Sequence, residues 1–216
     1  LIGSVTLGYA LTQKYVASVL FQKGVISFNT EGNVDKAEGL IARAANMSPS
    51  DIHFRFLTEL ALIRMNTLFQ NTKETATDAV KTEFQNLLGA ALGNARQAVA
   101  LNPQSYENFL SLGRVYEAVV PLKIDGAYES AKASYDQALT LNPKSPAILL
   151  TLARLEVAKG DNARARENIA RTLVAKNNYT EAIFLLSQIE AQEGNIKSAI
   201  SSVEAAATIA PDDASI

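Results

Sequence analysis

A glycine followed five residues later by an alanine, with a proline or asparagine twelve residues beyond that, occurs three times in this chain. The sets are Gly126/Ala131/Pro143, Gly160/Ala165/Asn177 and Gly194/Ala199/Pro211, and the last two are 34 residues apart at all three positions. A period of this length is a strong constraint, because it demands helix-pair units too small to bury their own apolar faces, completed only by stacking on a neighbour. Within one period Leu149, Leu152, Ala153 and Leu155 form one helical stripe, and Ala165, Ile169 and Leu173 form the next. Between them Gly160 suits the left-handed conformation at a helix C-terminus and Asp161 can cap the following helix. Gly194-Asn195 repeats that arrangement between Ile183, Leu186, Ile189 and Ala199, Val203, Ala206. The expected fold class is all-α, an α-solenoid of about five antiparallel helix pairs.

The preceding unit starts after Asn102-Pro103 and ends at Asn142-Pro143. Pro103 and Pro143 are 40 apart, six more than the period, and the surplus falls at residues 120–125. Pro121 marks it, because proline inside a helix loses a hydrogen bond and clashes with the preceding turn. Here Phe109-x2-Leu112-Gly113-x2-Tyr116, then Ala131-x3-Tyr135, Ala138 and Pro143, resembles the tetratricopeptide repeat, with Phe in place of Trp. The resemblance implies a right-handed superhelical array, a concave face lined by the first helix of each pair, and no catalysis. It also implies close helix approach at Gly113/Ala131, Ala153/Ala165 and Ser187/Ala199. Glu156 and Glu190 stand where the family usually has Tyr.

Upstream, Leu20, Gly24 and Phe28 supply a first helix, and Gly32, Ala37, Ile41, Ala44 and Pro49 the second-helix half of the same unit. From Pro49 to Pro103 the spacing is 54, one period plus twenty, and Phe54/Leu57/Ala61 and Phe84/Leu87/Leu88/Ala91 predict two lengthened helices separated by residues 71–77. The expected order is an apolar helical segment over 1–14, two atypical pairs over 15–103, three tetratricopeptide units over 104–213, and a tail at 214–216. Residues 1–12 are mostly apolar but fall short of the roughly 18 to 20 needed to cross a bilayer. They read as a first solenoid helix, the end of a membrane helix or a processed leader. Tyr15-Val16-Ala17, Leu20-Phe21-Gln22-Lys23-Gly24, Gly32-Asn33 and Ala37-Glu38 also resemble the segment leading into the repeats of O-antigen ligase-like membrane proteins. That second likeness implies an extracytoplasmic location, in the cell envelope or outside the cell, with residues 1–14 near a membrane.

Net charge of −2, a pI near 5.6 and the lack of any Lys/Arg run argue against a nucleic-acid partner, which needs a basic face to neutralise phosphates. There is no cysteine and one histidine, His53, so cysteine nucleophiles, thiolate metal sites and histidine dyads lack their side chains. No glycine-rich phosphate loop or Gly-x-Ser-x-Gly elbow is present. No catalytic residue, cofactor or metal is therefore expected. Asp212 and Asp213 are two adjacent carboxylates where oxygen-ligand sites gather more. His53, beside Phe54 on a predicted helix, reads as a partly buried structural residue. Asn46-Met47-Ser48 and Asn178-Tyr179-Thr180 make Asn46 and Asn178 candidate glycosylation sites near inter-repeat turns.

The candidate binding site is the row of exposed positions on first helices: Leu110, Leu150 and Phe184, with Arg114, Arg154 and Gln188 beside them. Arginine engages carboxylates bidentately, so the expected occupant is a protein or peptide with an acidic group and one or two apolar anchors. Alternatively these arginines solvate the face or pair with Glu117 and nearby acids. The Lys and Asn with which chaperone-binding family members clamp a C-terminal carboxylate are replaced here by Leu110, Arg114, Leu150 and Arg154, so that activity is not carried over. A second partner is the chain itself. The pair over residues 183–207 has only a short tail after Pro211 to cover it, and the apolar start of another chain would make a heterologous, propagating head-to-tail contact, hence a filament.

Overall fold

The computed structural model describes residues 2–71 and 77–209, with side chains from Tyr9 as far as Thr208. It divides into two compact units, Leu1–Val115 and Tyr116–Ile216. Ten α-helices and a single 3-10 turn follow one another among the described residues, with no strand.

In the first unit α1 (Ile2–Glu31), α2 (Val34–Met47), α3 (Asp51–Asn71) and α4 (Asp78–Leu101) each pack on the next, and α5 (Tyr106–Glu117) begins here. The 1–14 segment is not an element of its own. Gln13 and Lys14 interrupt the apolar run but are good helix formers, so α1 continues through them for 30 residues. Among the described residues no helix is long and apolar enough to cross a membrane. Side-chain caps punctuate the path: Asn33 accepts from the Lys36 amide and Thr77 from the Val80 amide. Ala37, Ile41, Ala45, Leu57 and Leu60 form one core, against which Phe21, Phe28, Phe54 and Phe56 pack. Ala61, Ala91, Ala95 and Val115 form another. At Gly24 α1 comes so close to α2 that an added Cβ would lie 2.5 Å from Ile41 Cγ1. The two lengthened helices are α3, of 21 residues, and α4, of 24. Residues 72–76 of the separating stretch lie outside the described residues.

The second unit runs through α6 (Ala127–Leu141), α7 (Pro146–Lys159), α8 (Asn162–Ala175), α9 (Thr180–Gln192) and α10 (Ile196–Ile209), each packed on its successor. Its core is Leu150, Ala153, Ala165, Ile169, Ala182, Leu185 and Ile189. The periodic glycines turn the chain as the spacing requires: Gly160 has φ +88° and Gly194 φ +82°, conformations costly for any residue with a Cβ. Asp161 caps α8 by accepting from the Arg164 amide at 3.0 Å. Asn195 differs, because its side-chain amide donates to Glu190 at 2.9 Å. The periodic alanines are buried, Ala131 and Ala165 fully and Ala199 nearly so. A larger side chain there would hold the paired helices apart. The surplus at residues 120–125 folds into the 3-10 turn Val120–Leu122, which contains Pro121, ends at left-handed Lys123 and packs against α7. Pro211 and the 214–216 tail lie outside the described residues.

Candidate functional site

In the first unit α1, α3 and α5 enclose an open cleft of about 440 Å³. Helical spacing explains how each contributes. Ile52, Arg55, Phe56 and Glu59 follow i, i+3, i+4, i+7 and form one stripe of α3; Glu107, Leu110, Ser111 and Arg114 form the same stripe of α5. Phe21 and Val25 are one turn apart on α1. The floor is thus apolar and rich in aromatic rings. Phe21 meets Phe56 edge-on at 5.6 Å and lies 4.9 Å from the His53 ring, while Phe28 supports Phe56 from 6.3 Å.

His53 is 8% exposed, and burial pushes its imidazole below the ordinary value against the opposing pull of the Ser48 backbone and Asp51. It is a neutral core group behind the floor, as its place beside Phe54 suggested. Two ion pairs cross from α3 to α5 at the rim. Arg55 reaches Glu107 at 2.6 Å and holds that carboxyl below its usual range, and Arg114 pairs with Glu59. With two arginines bound to two glutamates, the rim is neutral. Four buried polar atoms lack a partner among the described residues: His53 Nδ1, Arg64 Nε, Asn108 Oδ1 and Ser111 Oγ. Of these residues only Ser111 lines the cleft.

Of the six expected groove residues, two belong to the first unit and four to the second. Leu110, half-buried, and exposed Arg114 line the cleft of the first unit. Arg114 is engaged by Glu59 of α3, and the Glu117 carboxylate accepts from the Tyr135 hydroxyl. Leu150 requires a correction: it is 2% exposed and belongs to the core of the second unit. The reason is the neighbouring sequence, since Ile148, Leu149, Leu152, Ala153 and Leu155 make α7 apolar almost all round and leave no open face at that height. Arg154 is exposed in the second unit, near the Tyr179 phenol. Phe184 is half-buried and Gln188 exposed on α9. Asn46, near the end of α2, and Asn178, in the turn before α9, are both exposed.

The second unit also contains chemistry that residue spacing did not reveal. Glu156 is buried at 2% exposure, with the Tyr128 hydroxyl 2.9 Å from each of its carboxylate oxygens. Burial, then Glu156, pushes the Tyr128 phenol up to about 12, and Lys159 Nζ stands 3.6 Å over its ring. Nearby, Arg166 donates to both Glu190 and Glu193, and with Asn162 holds Glu193 down at about 2. The departures from the family's Tyr at 156 and 190 are therefore taken up by partners on adjoining helices. No group of three or more His, Cys, Asp or Glu could hold a metal among the described residues. Asp212 and Asp213 lie outside them.

Residues 122–172 and 150–214 match models described as tetratricopeptide repeat. Over that stretch the chain is similar to such repeats. Human protein O-mannosyl-transferase TMTC1 is 30% identical over 129 residues, which is 60% of this chain but only 12% of that protein's length. The crystal structure of TTC0263, a thermophilic TPR protein of Thermus thermophilus, superposes with a TM-score of 0.68 at 19% identity, covering 91% of this chain and 93% of its own. YrrB, described as a TPR protein with an unusual peptide-binding site, gives 0.53 at 13% identity, covering 89% and 86%. At these identities the two structures establish the fold, and they extend it over the atypical first pairs. The chain folds as an α-solenoid like those of tetratricopeptide proteins, an architecture that serves generally as a protein-interaction scaffold.

Proposed function

We propose that the chain is a non-enzymatic interaction scaffold whose first unit holds a segment of a partner protein in the cleft between α1, α3 and α5. The observation that carries this reading is the cleft itself. It is open, apolar at its floor, and built from first helices of successive pairs, the elements that line the binding face of stacked repeats. Its rim refines the expected partner. An acidic group would have to displace Glu59 from Arg114 or Glu107 from Arg55, so selection falls on the apolar anchor.

Selection of short random peptides on the intact chain tests the proposal. Peptides obtained in this way are expected to carry apolar anchors and to bind Leu110→Glu at least roughly tenfold more weakly, a loss of about 1.4 kcal/mol. Equal binding to a folded Leu110→Glu chain would sink the cleft as the site. Asn46 and Asn178 are exposed, as a glycan requires, and neither lines the cleft. The head-to-tail filament and membrane-tether readings draw on residues 1–14, of which 2–14 are the first part of a continuous α1, and on the end of the chain, outside the described residues. No observation favours either.

A further inference from the structure

The second unit carries a depression of its own, about 540 Å³ in volume, where the turn before α7 meets the last half of α8. The sequence of α8 explains it. Burial of Ala165, Ile169 and Thr172 fixes one stripe of the helix as its inner face, and Ala170, Arg171 and Val174 then fall on the outer one. Polar residues ordinarily occupy such positions. Here Val174 is 88% exposed, more than any other large apolar side chain among the described residues. Ala170 and Ala175 beside it are too small to close the space that Leu149 of α7 also lines.

Its charge differs from that of the cleft in the first unit. No Asp or Glu lines the depression, whereas Lys144 and Arg171 do. Arg171 donates to the neutral Asn168 side-chain oxygen at 3.0 Å. Among the described residues neither cation forms a salt bridge, not even Arg171 with Glu167 one turn back on α8. Where Arg55 and Arg114 would have to surrender a glutamate, Lys144 and Arg171 can take a carboxylate directly. The guanidinium offers a bidentate fork and the ammonium a point charge. Two cations are too few for a phosphate chain, whose binding comes from neutralising many charges in a row. They suit one carboxylate beside one or two apolar side chains. We propose that this face of the second unit, between the turn at residues 142–145 and α8, docks an acidic segment of a partner protein. A Glu or Asp side chain engages Lys144 and Arg171, and a neighbouring apolar side chain rests on Ala170, Val174 and Ala175. The site belongs to a different unit from the cleft between α1, α3 and α5 and does not depend on it.

The intact chain is titrated with the peptide acetyl-Leu-Glu-Glu-Leu-amide and with its neutral counterpart acetyl-Leu-Gln-Gln-Leu-amide, while backbone amide shifts are followed by NMR. The acidic peptide is expected to shift the amides of Leu149, Arg171, Val174 and Ala175 and to bind roughly fivefold more tightly than the neutral one, the gain that two exposed ion pairs supply. Raising NaCl from about 0.05 M to about 0.5 M is expected to erase most of that advantage. Lys144→Gln/Arg171→Gln changes two exposed residues and leaves the core intact, so the double variant should bind both peptides alike. Val174→Ser should weaken both peptides while keeping the preference. Equal affinities in the unaltered chain, a preference that survives in Lys144→Gln/Arg171→Gln, or absence of shifts at these amides overturns the proposal. An oligodeoxythymidylate that shifts the same amides more strongly than the acidic peptide overturns it as well, in favour of a nucleic-acid partner.

Discussion

Replacing Tyr128 by Phe removes one oxygen from the second unit and retains the ring beneath Lys159. That oxygen lies 2.9 Å from both carboxylate oxygens of Glu156, a residue 2% exposed. A hydrogen bond to a charged group contributes about 1.5–3 kcal/mol net, and stripping a buried charge of its whole partner costs about 3–5 kcal/mol. Arg164, whose guanidinium interacts with Tyr128 and with Glu156, remains nearby and offsets part of the loss, so Tyr128→Phe should destabilise by about 2 kcal/mol. Because stability in a repeat array is distributed, the effect belongs mainly to the unit that contains the pair, and hydrogen exchange of α6, α7 and α8 amides measures it where a single melting temperature would average it. The companion variants are Glu156→Leu and the double Tyr128→Phe/Glu156→Leu. Removing both polar partners in favour of apolar groups is close to neutral, so the double variant should recover most of the protection lost in Tyr128→Phe. Protection in Tyr128→Phe within about 0.5 kcal/mol of the parent, or single-variant losses that simply add, would refute a charged, hydrogen-bond-dependent Glu156.

Gly24→Ala places a Cβ 2.5 Å from Ile41 Cγ1 and 3.1 Å from the Ala37 carbonyl oxygen; overpacking outweighs the gain in helix propensity, and urea unfolding should show a net loss of about 1–2 kcal/mol. Gly89→Ala and Gly93→Ala, in the interior of α4 with open space around each, should instead stabilise by roughly 0.5–1 kcal/mol apiece in the same assay. His53 has its folded value below its unfolded one, so its contribution is complete above the ordinary histidine value of about 6.5 and declines as the pH falls through that value toward the folded one. Thermal unfolding should therefore shift to lower temperature between pH 7.5 and pH 5, and His53→Gln should flatten that dependence. Glu193, held at about 2 by Arg166 and Asn162, loses its contribution only below the ordinary glutamate value of about 4.5, so Arg166→Met should remove acid sensitivity between pH 4.5 and pH 2.

The parts of this molecule that could be read from the chain are those written locally. Gly160 and Gly194 announce their turns because only a residue without a Cβ rests at such φ values, and Ala131 and Ala165 announce close helix contact because nothing larger fits. Pro121 marked the insertion for an equally local reason. Leu110 and Arg114 were placed on the binding face by helical spacing, and both line the cleft. Spacing failed where the answer depends on distant partners. Arg114 meets Glu59 across 55 residues, Arg55 meets Glu107 across 52, and Glu156 finds Tyr128 across 28. Leu150 failed differently, since α7 carries apolar residues on so many sides that periodicity no longer distinguishes an inward from an outward position. Ser111 had no signal at all, as an unsatisfied hydroxyl exists only relative to the neighbours that do not reach it.

The left-handed glycines have a consequence for how the chain acquires its structure. Gly160 and Gly194 each reverse the chain within a few residues, so α7 meets α8 and α9 meets α10 over short separations in sequence. Topologies dominated by such near-neighbour contacts fold in microseconds to milliseconds, because little loop entropy must be lost before contacts form. Synthesis delivers roughly 5–20 residues per second, far more slowly. Each helix pair is thus able to close while the next is still being made, and the growing end of the nascent chain always has a finished surface on which to condense.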